Sequence, residues 1–236
     1  TMGSAVISIE SNVNGILEQQ LLLSTSGSTG SPQVARLSAS AVSTNAVDIA
    51  ESLRISIEDT GITILPLHYT YGLSVVHSHL VVGASVVCTD LNPTDRGFRT
   101  FIEESAVSNL PGVPFSYGMY DRMGLLDEPP STIRSMTQAG GALPPNVIAD
   151  VARRLQLQDV KFHVMYGQTE ATARMSILPP NEVFERPGSV GLPLRSGRFE
   201  IGTSEDKEEI VFFGPNVMLG YANSSSDLNS GDQLQG

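Results

Sequence analysis

A chain of 236 residues with 40% hydrophobic content can bury roughly 70–75% of the surface that its unfolded form exposes. Its 25 acidic against 14 basic side chains leave a net charge of -11, which repels nucleic acid and anionic membrane, since both need a positive face to release their counterions. Cys88 is the sole cysteine, so no disulfide closes within these residues, and a reducing, cytoplasmic setting is expected.

At the start of the chain no basic stretch precedes an apolar one, so no signal peptide is expected. An apolar run ending at Leu23 leads into the loop Ser24–Ser31. Beyond it, Val42, Ala46, Ile49, Ala50 and Leu53 recur at helical spacing. Ile62–Leu65 predicts a buried strand, Leu73–Val82 a helix and Ser85–Thr89 another strand. The uncharged stretch Tyr71–Val87 holds His77 and His79 and is shorter than a bilayer span, so no membrane span is expected.

Phe98, Phe101 and Ile102 mark a short helix, followed by a strand near Ser108–Leu110 that ends at the turn Pro111-Gly112-Val113-Pro114. Pro144 and Pro145 suit a helix's first turn, and Val147, Ile148, Val151 and Leu155 supply its apolar face. Lys161–Met165 predicts a strand running into Tyr166-Gly167. This alternation predicts an α/β fold over residues 1–186, a largely parallel sheet flanked by helices. Past Pro187 helical periodicity ends, and Phe199–Gly202 with Glu209–Phe213 predict a hairpin in a small β-rich subdomain over residues 187–236.

The loop Ser24-Thr25-Ser26-Gly27-Ser28-Thr29-Gly30-Ser31 holds six hydroxyl residues and two glycines. Glycine lets the backbone approach an anion closely, while hydroxyls add donors to the backbone N–H groups. Such a cradle suits a phosphate chain; composition alone equally fits a flexible linker. The tight spacing between an apolar run and an amphipathic helix favours the cradle. The Gly-Lys-Ser/Thr ending of a P-loop is absent, which argues against a kinase or GTPase.

Leu22–Pro32 resembles the phosphate-binding signature of the adenylate-forming superfamily, which includes acyl-CoA synthetases, luciferases and adenylation domains. Pro66–Leu73 is similar to that family's Pro-x-His-x-x-Gly segment, and Gln138–Pro144 to its adenine-contacting turn. Met165-Tyr166-Gly167-Gln168-Thr169-Glu170 resembles its Tyr-Gly-x-Thr-Glu motif, and Gly214–Tyr221 a late structural signature. The signatures follow one another in the family's order over nearly the whole chain.

The resemblance implies an ATP-dependent ligase for a carboxylic-acid substrate, fatty or a related acyl acid, forming an acyl-adenylate and then a thioester. The thiol would come from CoA or from the phosphopantetheine of an acyl carrier protein. It implies that Thr25, Ser26, Gly27, Ser28, Thr29 and Gly30 grip the ATP phosphates. Gly140, Gly141 and Ala142 would leave room on the purine edge, with the Tyr166 ring laid against adenine and Gly167 counted among the cofactor-binding residues. Thr169 would bond the α-phosphate, and Glu170 would anchor Mg2+, a hard cation that prefers carboxylate oxygen. His68 would orient carboxylate and phosphate; His77, His79 and His163 read as structural. Val113, Pro114 and Tyr71-Gly72 are candidates for the acyl pocket wall.

The chain also departs from the family pattern. Gln33 stands where a lysine is usual, Ala39 where a histidine is frequent, and Glu208 where a glycine often precedes the late strand. Gly231-Asp232 falls too early after Tyr221 to match the ribose-binding Thr-Gly-Asp motif, and Asp232 is not assigned that role. The family's hinge and lysine-bearing C-terminal domain have no counterpart here, so the chain reads as part of a longer enzyme and is expected to be inactive alone. The alternatives are a non-catalytic nucleotide- or acyl-binding lobe and an amino-acid adenylation fragment. The latter is disfavoured because no aspartate for an α-amino group can be placed.

Overall fold

The structure, a computed structural model, describes residues 19–25, 33–204, 207–222, 224 and 227–228. It begins with strands β1 (Gln19–Thr25) and β2 (Gln33–Ser38), paired antiparallel from Gln19↔Ser38 to Thr25↔Gln33. Ser26, Gly27, Ser28, Thr29 and Gly30 lie outside the described residues. Helix α1 (Ala39–Leu53) follows directly, capped by Ser38, whose side chain accepts the Ala41 N–H at 3.0 Å. Strand β2 therefore stands between the loop and the helix. The apolar pattern does not reveal it because Arg36, fully buried, lies at its centre.

Next come β3 (Thr60–Thr63), α2 (Thr70–Leu80), β4 (Ser85–Cys88), α3 (Phe98–Glu104), β5 (Asn109–Gly112) and α4 (Pro114–Arg122). After β6 (Ser135–Gln138), α5 (Pro145–Gln156) begins where the proline pair predicts and buries Ile148, Val151, Ala152 and Leu155. Strand β7 (Lys161–Tyr166) leads to a 3-10 turn (Thr169–Ala171) and then to β8 (Ser176–Leu178) and β9 (Leu192–Pro193). The strands β10 (Arg198–Ser204) and β11 (Lys207–Phe213) form the expected hairpin, and β12 (Gly220–Ala222) closes the series.

Among the described residues the largest sheet has the order β4-β3-β5-β6-β7-β8-β9. It is parallel from β4 to β7 and antiparallel at β8 and β9. The fold is thus α/β, a mostly parallel sheet flanked by helices with small antiparallel sheets beside it. Alternation along β7 shows how the two faces are filled: Phe162 and Val164 pack with α3, α4 and α5, whereas Met165 packs with Ile49 of α1 and Val75 of α2. Strand β12 pairs with β2, so the late signature returns to the strand that follows the hydroxyl-rich loop. No helix among the described residues is long and apolar enough to cross a membrane.

Candidate functional site

A cleft of about 830 Å³ opens beyond the ends of β3, β6 and β7, between the segments that follow them and the β1–β2 hairpin. Ligands in open α/β sheets sit at this carboxyl edge. The cleft brings together Thr25, Gly140, Gly141, Ala142, Tyr166, Gly167, Thr169 and Glu170, drawn from segments far apart in sequence.

The Gly140–Ala142 turn is held from below. Gln138, only 1% exposed, donates from Nε2 to the Gly141 carbonyl at 2.7 Å. Gly140 has φ +74°, and a methyl group there would collide with the Tyr69 hydroxyl; a side chain at this position is excluded on both counts. Across the cleft, an added methyl on Gly167 would meet the Ala173 carbonyl. The chain therefore folds back tightly after Tyr166, whose ring stays on the cleft wall at 36% exposure.

That reversal carries backbone strain: Thr172 has φ +52° and Ala173 φ +94°. Non-glycine residues in such conformations persist where the surroundings over-determine them. Asn216 supplies that constraint, donating from Nδ2 to the Ala171 and Arg174 carbonyls at 2.7 and 3.1 Å, while its own carbonyl accepts from Thr172 Oγ1 at 2.6 Å. Here the late signature has its purpose: Met218 N–H also bonds the Glu170 carbonyl at 2.8 Å.

The hydroxyls of Thr169 and Thr70 lie 2.7 Å apart, tying the 3-10 turn to the start of α2. Glu170 Oε1 accepts from the Tyr221 hydroxyl at 2.7 Å. Burial raises the Tyr221 phenol, helped by the Glu170 carboxylate, to a pKa of about 12. Among the described residues Glu170 is the one carboxylate on the cleft wall, and no cluster of three metal-ligating side chains occurs. Such a site suits Mg2+, which typically takes one or two carboxylates and completes its octahedron with substrate phosphates and water.

His68 is placed differently. It is exposed on the turn before α2 and does not line the cleft; its neighbour Tyr69 does. Sequence reading also passes over Tyr69, Gln138, Arg174 and Tyr221, all on the cleft wall. Tyr69, Gln138 and Tyr221 stand inside quoted signatures, but nothing in a single sequence marks them as facing the others. Gln33, at the hairpin's closing pair, lines the cleft as well.

At the α2 end, Tyr71 is buried, its hydroxyl within 2.8 Å of Thr137 Oγ1 and 2.9 Å of the Thr137 carbonyl. The Arg174 guanidinium stacks 3.9 Å from the Tyr71 ring centroid. Burial pulls the Arg174 pKa below the ordinary arginine value, opposed by the Tyr71 and Tyr69 hydroxyls.

Comparison with known proteins agrees with this arrangement. The profile of the family described as AMP-binding enzyme matches residues 21–222. Feruloyl-CoA synthase from Amycolatopsis sp is 28% identical over 217 residues, covering 88% of this chain and 43% of that protein. Indoleacetate–CoA ligase from Aromatoleum aromaticum is 31% identical over 214 residues, covering 86% of this chain and 41% of that protein. Among solved structures, O-succinylbenzoate coenzyme A synthetase from Bacillus subtilis, in complex with ATP and magnesium ion, aligns with TM-score 0.73 at 27% identity, over 87% of this chain and 43% of that one. The chain spans less than half the length of these relatives. Since the matched region runs from β1 to β12 and contains every described residue of the cleft, the chain belongs to the AMP-binding enzyme family.

Proposed function

We propose that the chain supplies the adenylate-binding part of an ATP-dependent ligase that joins a carboxylic acid to a thiol through an acyl-adenylate. The observation that carries this reading is the convergence of Thr25, Gly140–Ala142, Tyr166, Thr169 and Glu170 on one cleft of about 830 Å³. In the first half-reaction a carboxylate oxygen attacks the α-phosphorus of ATP and pyrophosphate leaves. In the second, a thiol displaces AMP from the acyl carbon. Because the first step joins two anions, positioning and charge neutralisation dominate its catalysis.

Each residue then has a task. The Gly140–Ala142 turn and the Tyr166 ring form a flat slot for adenine. Thr169, positioned by Thr70, offers its hydroxyl to the α-phosphate. Glu170, oriented by Tyr221, would hold Mg2+, which when bound neutralises phosphate charge. Tyr69 occupies the cleft wall beside the adenine turn, so the orienting role expected of His68 fits its neighbour better. The names of the relatives favour coenzyme A over an acyl carrier protein as thiol acceptor. They also make aromatic acids the first class to test, ahead of the fatty acids that the sequence suggests.

The test is pyrophosphate release from ATP with a panel of aromatic and fatty acids. Because the chain spans about 43% of its relatives, the 236 residues alone are expected to bind ATP without sustained release. A protein that binds neither ATP nor AMP would sink the reading; sustained release by these residues alone would sink only the proposed inactivity.

A further inference from the structure

Charge on the cleft wall is sparse. Among the described residues that line it, Glu170 is the one acidic side chain and Arg174 the one basic side chain. Arg174 is 3% exposed and makes no ion pair with any described carboxylate. Its hydrogen bonds are long and neutral, from Nη1 to the Ala173 carbonyl at 3.2 Å and from Nη2 to Ser74 Oγ at 3.3 Å. Its Nε is buried without a partner. The residue is also fixed: Asn45 clamps its backbone through Nδ2 to its carbonyl at 2.8 Å and through Oδ1 from its N–H at 3.2 Å.

A guanidinium keeps its charge even when buried, and a buried charge without a counter-charge is costly. The Tyr71 face offsets part of that cost. The remainder persists as positive potential, focused into a low-dielectric cleft on a chain whose net charge is -11. An anionic ligand in the cleft would complete the pair.

We propose that Arg174 is a positioning residue that selects ligands bearing an anionic oxygen, a carboxylate or a phosphate, at the Tyr69–Tyr71 end of the cleft. It acts through its field rather than by touching the ligand, and it takes over locally the neutralising work that Gln33 cannot do. This inference rests on the ligase reading of the cleft.

The experiment measures equilibrium binding of two matched pairs, AMP against adenosine and benzoate against benzamide, to the 236-residue chain and to Arg174→Met and Arg174→Lys. Wild type should favour the charged member of a pair, and Arg174→Met should cut that preference about tenfold, as expected for a charge acting over several ångströms at intermediate dielectric. The neutral member is the reference within each pair, so a general change in binding cancels, and Arg174→Lys should keep the preference near neutral pH. Loss in the AMP pair assigns the field to phosphate, loss in the benzoate pair to carboxylate. An Arg174→Met protein that keeps the full preference overturns the inference while leaving the ligase reading intact. Wild type that binds neither AMP nor adenosine overturns both.

Should the methionine variant fail to fold, pH decides. A buried lysine has a depressed pKa, so in the benzoate pair the preference of Arg174→Lys should fade as pH rises through that value, whereas wild type stays flat; the AMP pair is read only above the phosphate's own pKa of about 6. A lysine variant as flat as wild type also overturns the inference.

Discussion

The Tyr221 hydroxyl donates to Glu170 Oε1 at 2.7 Å, joining the last described strand to the turn that carries the one carboxylate among the described residues of the cleft. This bond aims the carboxylate without neutralising it. Tyr221→Phe should therefore weaken magnesium-dependent ATP binding by about 1.5–3 kcal/mol, the usual worth of a hydrogen bond to a charged group. Glu170→Ala should abolish the magnesium dependence itself while leaving metal-free AMP binding unchanged. Calorimetric titrations of ATP with and without Mg2+ separate the two, and an unchanged titration for Glu170→Ala would refute the metal role.

Gln33 lines the cleft beside Thr25 at the mouth of the hydroxyl-rich loop. A lysine there adds a point charge near the expected phosphates, worth about 1 kcal/mol in a partly solvated cleft. Gln33→Lys should bind ATP roughly fivefold more tightly and leave adenosine affinity alone. Equal affinity for ATP in the variant and the parent would show that the position is peripheral.

Gly140→Ala should destabilise the fold and close the slot together. The left-handed backbone at φ +74° costs an alanine about 1–2 kcal/mol, and Tyr69 must move away from the new methyl group. A lower melting temperature with weaker AMP binding is the expected outcome. Wild-type values for both would mean that the turn relaxes freely.

His163 is 5% exposed on β7, with both ring nitrogens unpartnered. Burial, with Lys161 and Arg54 adding repulsion, lowers its pKa from 6.5 to about 4. Below pH 6.5 the unfolded chain takes up a proton that the folded chain refuses, so the contribution is fully present above that pH. It is lost as pH falls toward about 4 and amounts to about 3 kcal/mol. Denaturant titrations between those limits should show stability falling with acid, and His163→Gln should flatten that slope. An identical slope in the variant would assign the acid sensitivity elsewhere.

The sequence made legible whatever rests on apolar periodicity or on a local signature. β3, α2, β4, α3, α5, β7 and the β10–β11 hairpin lie where the pattern predicts, within a few residues. Strand β6 was hidden because Ser135, Thr137 and Gln138 are buried through hydrogen bonds rather than through apolar packing. Helix α4 was hidden because Ser116 shares its buried face with Tyr117 and Tyr120, and Gly118 interrupts it. The signatures located the turns of the cleft, but not which side chains meet there. Tyr221 and Glu170, or Arg174 and Tyr71, become neighbours only through the tertiary fold, and single-sequence spacing carries no trace of such pairs.

The pairing of β12 with β2 also bears on how the protein is made. Two strands alone are marginal in water, and β1 and β2 gain their third only when Gly220–Ala222 pairs with Val34–Arg36. During synthesis this hairpin must wait for every element from α1 to β11 before its sheet is complete. The side of the cleft that carries Thr25 and Gln33 is thus braced only after the Gly140–Ala142 and Tyr166–Glu170 turns have been made.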